Sequence, residues 1–276
     1  MSSGASPKRT YALGYSQQEM ERLVLQAHLF DPFTRQLFEQ AGISSSMRVL
    51  DVGCGAGDVS FLTAGLVGPN GAVIGVDISA AAIEYAIRRA RRQSIANVQF
   101  VEGDPAQMIF DQKFDAVVGR LVLMYYPDPT DALRKVVGHV RLDGIVAFQE
   151  LDMTNFRSFP AAPTFQTAAK WMKKAFIASG ARVNMGLELF AAFLSAGLPE
   201  PSLRADTLIG GGTQFPCELL AITVQSLLPA MKKIGLADAS HFDLPFLAER
   251  MRSEMIVRKA VAISPGLIGA WSHKST

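Results

Sequence analysis

The residues of this chain that could do chemistry as a group begin with Gly53, Gly55 and Gly57, which alternate with Cys54 and Ala56. They follow the apolar run Val49-Leu50-Asp51-Val52 directly, and Val59 to Val67 behind them has helical periodicity. A continuous apolar run of this length fits a buried parallel strand. Glycines let the backbone turn sharply and approach a ligand closely. A helix that starts at such a turn points free N–H groups at whatever lies above it. The next apolar run, Ala72 to Val76, ends in Asp77. A carboxylate about twenty residues beyond the glycine loop is placed to accept hydrogen bonds from a ribose diol. The combination predicts a site for an adenosine-containing cofactor.

The glycine spacing constrains which cofactor. The dinucleotide fingerprint is G-x-G-x-x-G, whereas here it is G-x-G-x-G with Asp58 in the sixth position. An anion beside the first helical turn is a poor neighbour for a pyrophosphate. Asp77 alone leaves a nicotinamide cofactor and S-adenosylmethionine both open. A third strand, Val98 to Val101, runs into Glu102-Gly103-Asp104 and Pro105, which adds a second acidic loop at the same sheet edge.

These blocks resemble the class I S-adenosylmethionine-dependent methyltransferases. The matching stretches are Val49 to Gly57, Gly75-Val76-Asp77-Ile78-Ser79, Glu102-Gly103-Asp104, Phe114 to Val118 continuing to Met124-Tyr125-Tyr126-Pro127-Asp128-Pro129, and Val140 to Phe148. They occur in the family's order. The resemblance implies S-adenosyl-L-methionine as cofactor and S-adenosyl-L-homocysteine as product. It implies that the glycine loop, with Asp51, Gly53, Cys54, Gly55 and Gly57, lies under the methionyl and ribose part. Asp77 would then hold the ribose hydroxyls and Asp104 meet the adenine amino group, with Ile78, Gly103 and Pro105 also in the cofactor-binding set. It also implies an α/β fold, a three-layer Rossmann-like sandwich. Its seven-stranded sheet would be mostly parallel with an antiparallel last strand, and cap helices would be inserted.

Further candidates lie where strands end, because ligands in such sheets bind beyond the carboxyl ends. Arg120 closes the fourth strand and either pairs with the methionyl carboxylate or makes a structural ion pair. Tyr125 stands in the loop where many small-molecule members of the family carry a histidine. That departure argues against a histidine base from this loop. Glu150, and after it Asp152, follow the fifth strand and would serve as general base or substrate acceptor, or else cap the next element. Tyr11 and Tyr15 precede the core and would either face the sulfonium, since aromatic faces attract cations, or pack the arm. The candidate catalytic residues are therefore Glu150, Tyr15 and Tyr125, with Tyr11 and Arg120 added to the cofactor set.

The elements that must position these groups divide the chain into three. Residues 1–42 form a helical arm in which Ser16 and Glu19 make a capping box and Asp31-Pro32 splits two helices. Residues 43–152 form the cofactor core. Residues 153–276 complete the sheet and carry an apolar helical cap at about 153–182 and 213–262. Leu203 to Ile209 is expected as the sixth strand, Gly210-Gly211-Gly212 as a hinge, and helices are expected over 161–179, 187–197, 216–234 and 244–262. A turn at 141–144 precedes the fifth strand. Leu, Met, Phe and Ala dominate the cap, which suits a hydrophobic small molecule or else a second copy of the chain.

Composition narrows the rest. Half of the chain, 49%, is hydrophobic, which is enough for a large core, and the net charge is only +2. Arg88, Arg89, Arg91 and Arg92 cluster at a helix end, where cations complement the dipole, so no nucleic-acid partner is expected. Two cysteines, Cys54 and Cys217, make neither a disulfide framework nor a zinc site. Cys54 reads as a small filler in a tight turn. The four histidines have no metal-ligand spacing, so no metal is expected. No apolar run reaches the ~20 residues of a membrane span, and no signal core follows Lys8 and Arg9. A cytoplasmic enzyme without a membrane partner is expected, as a homo-oligomer to which the arm could contribute. Its reaction would be methyl transfer to O, N or C of a small hydrophobic metabolite, of the kind found in secondary metabolism. A prenyl or alkene acceptor, methylated through a carbocation that aromatic rings stabilise, is the alternative. From other classes, a non-catalytic S-adenosylmethionine-binding subunit and an NAD-type oxidoreductase remain open.

Overall fold

A computed structural model describes residues 13–14, 16–233, 235 and 244–275. Tyr11 and Tyr15 lie outside the described residues. In chain order the elements are α1 (Gln17–Ala41), β1 (Arg48–Val52), α2 (Asp58–Val67), β2 (Ala72–Asp77), α3 (Ala80–Arg92), β3 (Val98–Glu102), β4 (Phe114–Arg120), α4 (Pro129–Val137), β5 (Val140–Asp152) and β6 (Arg157–Phe159). They continue as α5 (Pro163–Ala178), α6 (Met185–Ser195), β7 (Ser202–Asp206), β8 (Ile209–Gly211), α7 (Cys217–Ser226), α8 (Leu228–Lys233), α9 (Leu247–Arg258), β9 (Val261–Ile263) and β10 (Gly266–His273).

The main sheet has seven strands in the order β3-β2-β1-β4-β5-β10-β7. β3, β2, β1, β4 and β5 pair in parallel, while β10 runs antiparallel between β5 and β7. This is the α/β architecture expected from the sequence. Val49, Leu50 and Val52 of β1 are fully or almost fully buried, as a strand covered on both faces requires. The order reverses at β1 and β4, and a doubly wound sheet opens its ligand crevice at that point.

Several expected elements differ. Asp31-Pro32 does not split the arm: α1 is one helix of 25 residues with Pro32 inside it. An interior proline costs ~3 kcal/mol. Burial of Leu37 and Phe38, both 0% exposed, contributes roughly 1.5–3 kcal/mol each and offsets it. The turn at 141–144 lies within β5, where the register with β4 shifts between Phe114 and Ala116. The sixth strand stops at Asp206, and Gly210-Gly211-Gly212 is not a loose joint. Gly210 and Gly211 belong to β8 and pair with Ala262 and Val261 in a separate sheet of order β6-β9-β8. The expected helix over 216–234 is two, α7 and α8, and that over 244–262 ends at Arg258 because Val261–Ile263 is a strand. Among the described residues, no helix is long and apolar enough to cross a membrane.

Candidate functional site

The glycine loop leaves β1 at the switch point. Gly53 and Cys54 donate their N–H groups to Val76 O at 2.8 and 3.0 Å, which ties the loop to β2. Gly53 has φ of 69°, and a Cβ there would collide with Val122, so the loop can press against the segment that follows β4 only without a side chain. Gly57, with φ of 91°, starts α2. A Cβ on it would come within 2.9 Å of Phe100 and 3.0 Å of Phe61, which themselves stack edge to face. Gly53, Cys54 and Gly55 line a deep cavity, whereas Gly57 does not. Its expected ligand role gives way to one of packing. Burial, with Asp51 nearby, pushes the Cys54 thiol well above its usual range, which makes it an inert filler.

Asp77, at the end of β2, is 9% exposed and lines the cavity. Gly55 N–H donates to its Oδ2 at 3.0 Å and Ser79 N–H to its Oδ1 at 2.9 Å. Two amides thus fix a carboxylate at the strand end with the loop folded over it. Below it, Asp51 accepts a hydrogen bond from Ser60 Oγ at 2.6 Å, and burial raises its carboxyl to about 7. Asp51 does not line the cavity. Asp58 does, and it pairs with Arg89 at 2.7 Å. Arg89 also donates to Ala56 O at 2.6 Å and lies 5.0 Å from the Phe61 ring centroid. The arginine-rich end of α3 therefore splints the glycine loop.

Of the residues expected at the adenine, Pro105 lines the cavity, as does Ile78, while Gly103 and Asp104 do not. Asp104 accepts from Ala106 N–H at 3.0 Å, Gln107 Nε2 at 2.9 Å and Tyr126 Oη at 3.3 Å.

Arg120 lines the cavity and its Nη1 donates to Asp31 Oδ1 at 2.9 Å and Thr34 Oγ1 at 2.8 Å, both on α1. The expected ion pair is present, and the same side chain reaches the cavity wall. Glu150 requires a correction. It is 0% exposed and does not line the cavity. Its carboxylate accepts the N–H groups of Val122 and Leu123 at 2.9 and 2.7 Å and, more weakly, of Met124 at 3.4 Å. Burial pushes the carboxyl to about 7. It holds the turn Leu123–Tyr125 in place, and Leu121 beside that turn takes a φ of 55°. A non-glycine residue there costs on the order of 1–3 kcal/mol and persists only where its surroundings enforce it. Val122, Met124 and Tyr125 then face the cavity. Asp152 closes on Thr154 at 3.0 and 2.7 Å and is a cap.

Sequence reasoning missed the contribution of α1. Ser16 caps the helix as expected, accepting from Glu19 N–H, but the Glu19 carboxylate turns to Arg22, which donates from Nε at 2.8 Å and Nη2 at 2.7 Å. Arg22, 3% exposed, and Gln26 line the cavity. The only signal was the spacing of Glu19, Arg22 and Gln26, which also fits a solvated helix face.

The cavity spans about 1570 Å³, open mouth included. Its charged lining residues, Arg22, Asp58, Asp77 and Arg120, all belong to the glycine-loop half. The other half is built from residues between 121 and 265, among them Phe156, Met172, Phe176, Phe215 and Leu220, and no charged side chain lines it among the described residues. The donor set fits S-adenosylmethionine: an amide-braced carboxylate for a diol, a glycine loop open to the cavity, and the apolar walls of Ile78 and Pro105.

A family model described as a methyltransferase domain matches residues 43–185. Aklanonic acid methyltransferase DauC of Streptomyces sp. (strain C5) is 31% identical over 140 residues, which are 50% of this chain and 63% of that protein. Demethylmenaquinone methyltransferase of Lactobacillus johnsonii is 30% identical over 118 residues, 42% of this chain and 48% of that one. The chain thus spans about half to under two thirds of the length of these curated relatives. Among solved structures, the YcgJ protein of Bacillus subtilis superposes with a TM-score of 0.61 at 19% identity, covering 90% of this chain and 99% of that one.

Proposed function

We propose, because this chain belongs to the class I S-adenosylmethionine-dependent methyltransferases over residues 43–185, that it methylates a small, uncharged and largely apolar acceptor bound under its helical lid. The observation that carries this reading is the division of one cavity into a charged half at the glycine loop and an uncharged, aromatic half under the lid. The relatives named for aklanonic acid and demethylmenaquinone support a small-molecule acceptor.

When bound, S-adenosylmethionine supplies an electrophilic methyl group and the leaving sulfur. Asp77 holds the ribose hydroxyls. Gly53 and Gly55 let the backbone lie against the cofactor, Ile78 and Pro105 flank the adenine, and Asp104 braces that loop. Arg120 and Arg22 set the positive charge near the methionyl carboxylate, Arg120 while held by Asp31. Glu150 acts indirectly, by fixing Val122 to Tyr125 as the wall between the two halves. Tyr125 orients the acceptor. Among the described residues, no His, Asp, Glu or Lys lines the lid half, so none of these residues is assigned as a general base. The protein supplies alignment and the removal of water. Phe156, Phe176 and Phe215 in that half favour, as a second reading, an alkene acceptor whose carbocation they would stabilise.

The test is calorimetric titration with S-adenosylhomocysteine and, in parallel, NADH, followed by turnover with donor and a panel of apolar phenols, amines and alkenes. Micromolar S-adenosylhomocysteine binding and a methylated product are expected, and analysis of the product identifies the attacked atom. Binding without product across the panel would favour a non-catalytic cofactor-binding subunit. NADH binding alone would make Asp77 a dinucleotide ligand.

A further inference from the structure

The small sheet breaks the pattern expected of a sheet with one face on the core. Such sheets alternate apolar inside with polar outside. On its inner face Ser158, Gly210 and Ala262 are buried against the lid. On its outer face Phe159 of β6 is 78% exposed, Val261 of β9 39% and Ile209 of β8 65%. Phe159 and Val261 are directly paired, and Ile263 joins Arg157 to Ile209 in the next row. The last turn of α9 extends the patch: Ile256 and Val257 are 52% and 82% exposed, and Ile256 lies beside Gly212 at the end of β8. The charges interleaved with these residues are cationic. Arg157 lies on the outer face itself, and Arg258 and Lys259, both exposed, lead into β9. Arg258 is paired with Glu254, which accepts from it at 3.3 Å and from Thr164 N–H at 2.8 Å. A contiguous apolar patch of this kind marks an interaction surface.

We propose that this face seats the protein on the surface of an anionic lipid bilayer. Phe159, Ile209, Val257 and Val261 enter the headgroup region while Arg157, Arg258 and Lys259 lie against the phosphates. Charge complementarity selects this occupant. A second copy docked about a two-fold axis would set the same patch against itself and bring both sets of cations together. The contact is peripheral, and it differs from the sequence-based expectation of no membrane partner. Each strand of the face also reaches the cavity: Phe156, Leu208 and Ser264, neighbours in sequence of Arg157, Ile209 and Ile263, line it. Where the proposed methylation holds, an apolar acceptor dissolved in the bilayer has its entrance here. The surface contact itself does not rest on that reading.

The experiment is co-sedimentation of the full chain with vesicles of phosphatidylcholine alone or mixed with phosphatidylglycerol, at low and raised salt. Binding to the mixed vesicles, weakened by salt, is expected, with little on phosphatidylcholine. Phe159→Ser combined with Val257→Ser should lower binding by about tenfold or more. Arg157→Gln should lower it about fivefold, since a cation at such a surface contributes ~1 kcal/mol. Both variants should keep the wild-type circular dichroism and S-adenosylhomocysteine titration. Equal or no binding to the two vesicle types, or variants without effect, would overturn the proposal. A concentration-dependent dimer in ultracentrifugation that Phe159→Ser dissociates would give the face to a second copy instead. Loss of cofactor binding or turnover with vesicle binding intact would remove the methylation and leave this contact standing.

Discussion

The two halves of the cavity are built in opposite ways. The glycine-loop half comes from short consecutive stretches, and its polar groups are braced by neighbours: Asp77 by Gly55 and Ser79, Asp58 by Arg89. The lid half gathers Met153, Met172, Phe215, Leu220 and Pro265 from separate segments, and apolar contact is what holds it. Hydrogen bonds fix atoms to fractions of an ångström, while apolar packing tolerates exchange at constant volume. On the proposed function, one half would specify a single cofactor, and the other would set the size and polarity of an acceptor.

That contrast is sharpest at Asp77. Asp77→Ala removes a charged acceptor from two amides and should weaken S-adenosylhomocysteine binding in calorimetry by about tenfold or more, with the fold intact by circular dichroism. Unchanged affinity would take Asp77 out of the site. In the other half, Phe156→Ala removes an aromatic wall that stacks on Phe165. Turnover with an apolar acceptor should fall about tenfold while cofactor affinity stays within about twofold. Parallel loss of both would mean that the halves are one unit. Arg89→Gln breaks the splint between α3 and the loop. Its partners are almost buried, so a cost of about 2 kcal/mol in urea unfolding is expected, with cofactor affinity lowered several-fold.

The smallest effect expected is on pH dependence. Folding raises Asp51 and Glu150 from the ordinary carboxylate range to about 7. Between about pH 4 and 7 the folded chain then binds more protons than the unfolded one, so these groups favour folding most at low pH and lose that contribution as pH rises through 7. Melting temperature should decline from pH 5 to 8 more steeply in the wild type than in Glu150→Gln, which still accepts from Val122 and Leu123. Identical slopes would show that Glu150 does not titrate in this window.

Much of this was legible in the sequence because it is local. Val49 to Asp58 reads as strand, turn and helix start from nearest-neighbour chemistry alone, and Asp77 follows from the next strand end. Glu150 shows where that logic stops. A carboxylate after a strand looks the same in sequence whether it faces a ligand or, as here, accepts three amides 26 to 28 residues away. Pro32 reads as a break because local propensity opposes it, and only the burial of Leu37 and Phe38 overrides it. Gly210 and Gly211 read as a joint because their partners in β9 lie some fifty residues further on.

The sequence by itself determined the family, the sheet and the cofactor loop, since these depend on residue types at fixed short spacings. Tertiary structure decided that Arg22 and Arg120 are held at the glycine-loop half of the cavity, that Glu150 is buried against the amides after β4, and that the small sheet keeps an exposed apolar face. The physical reason is common to all three. Burial and pairing across long sequence separations set what a polar side chain does and which apolar ones stay exposed, and neither is a property of any residue's neighbours in the chain.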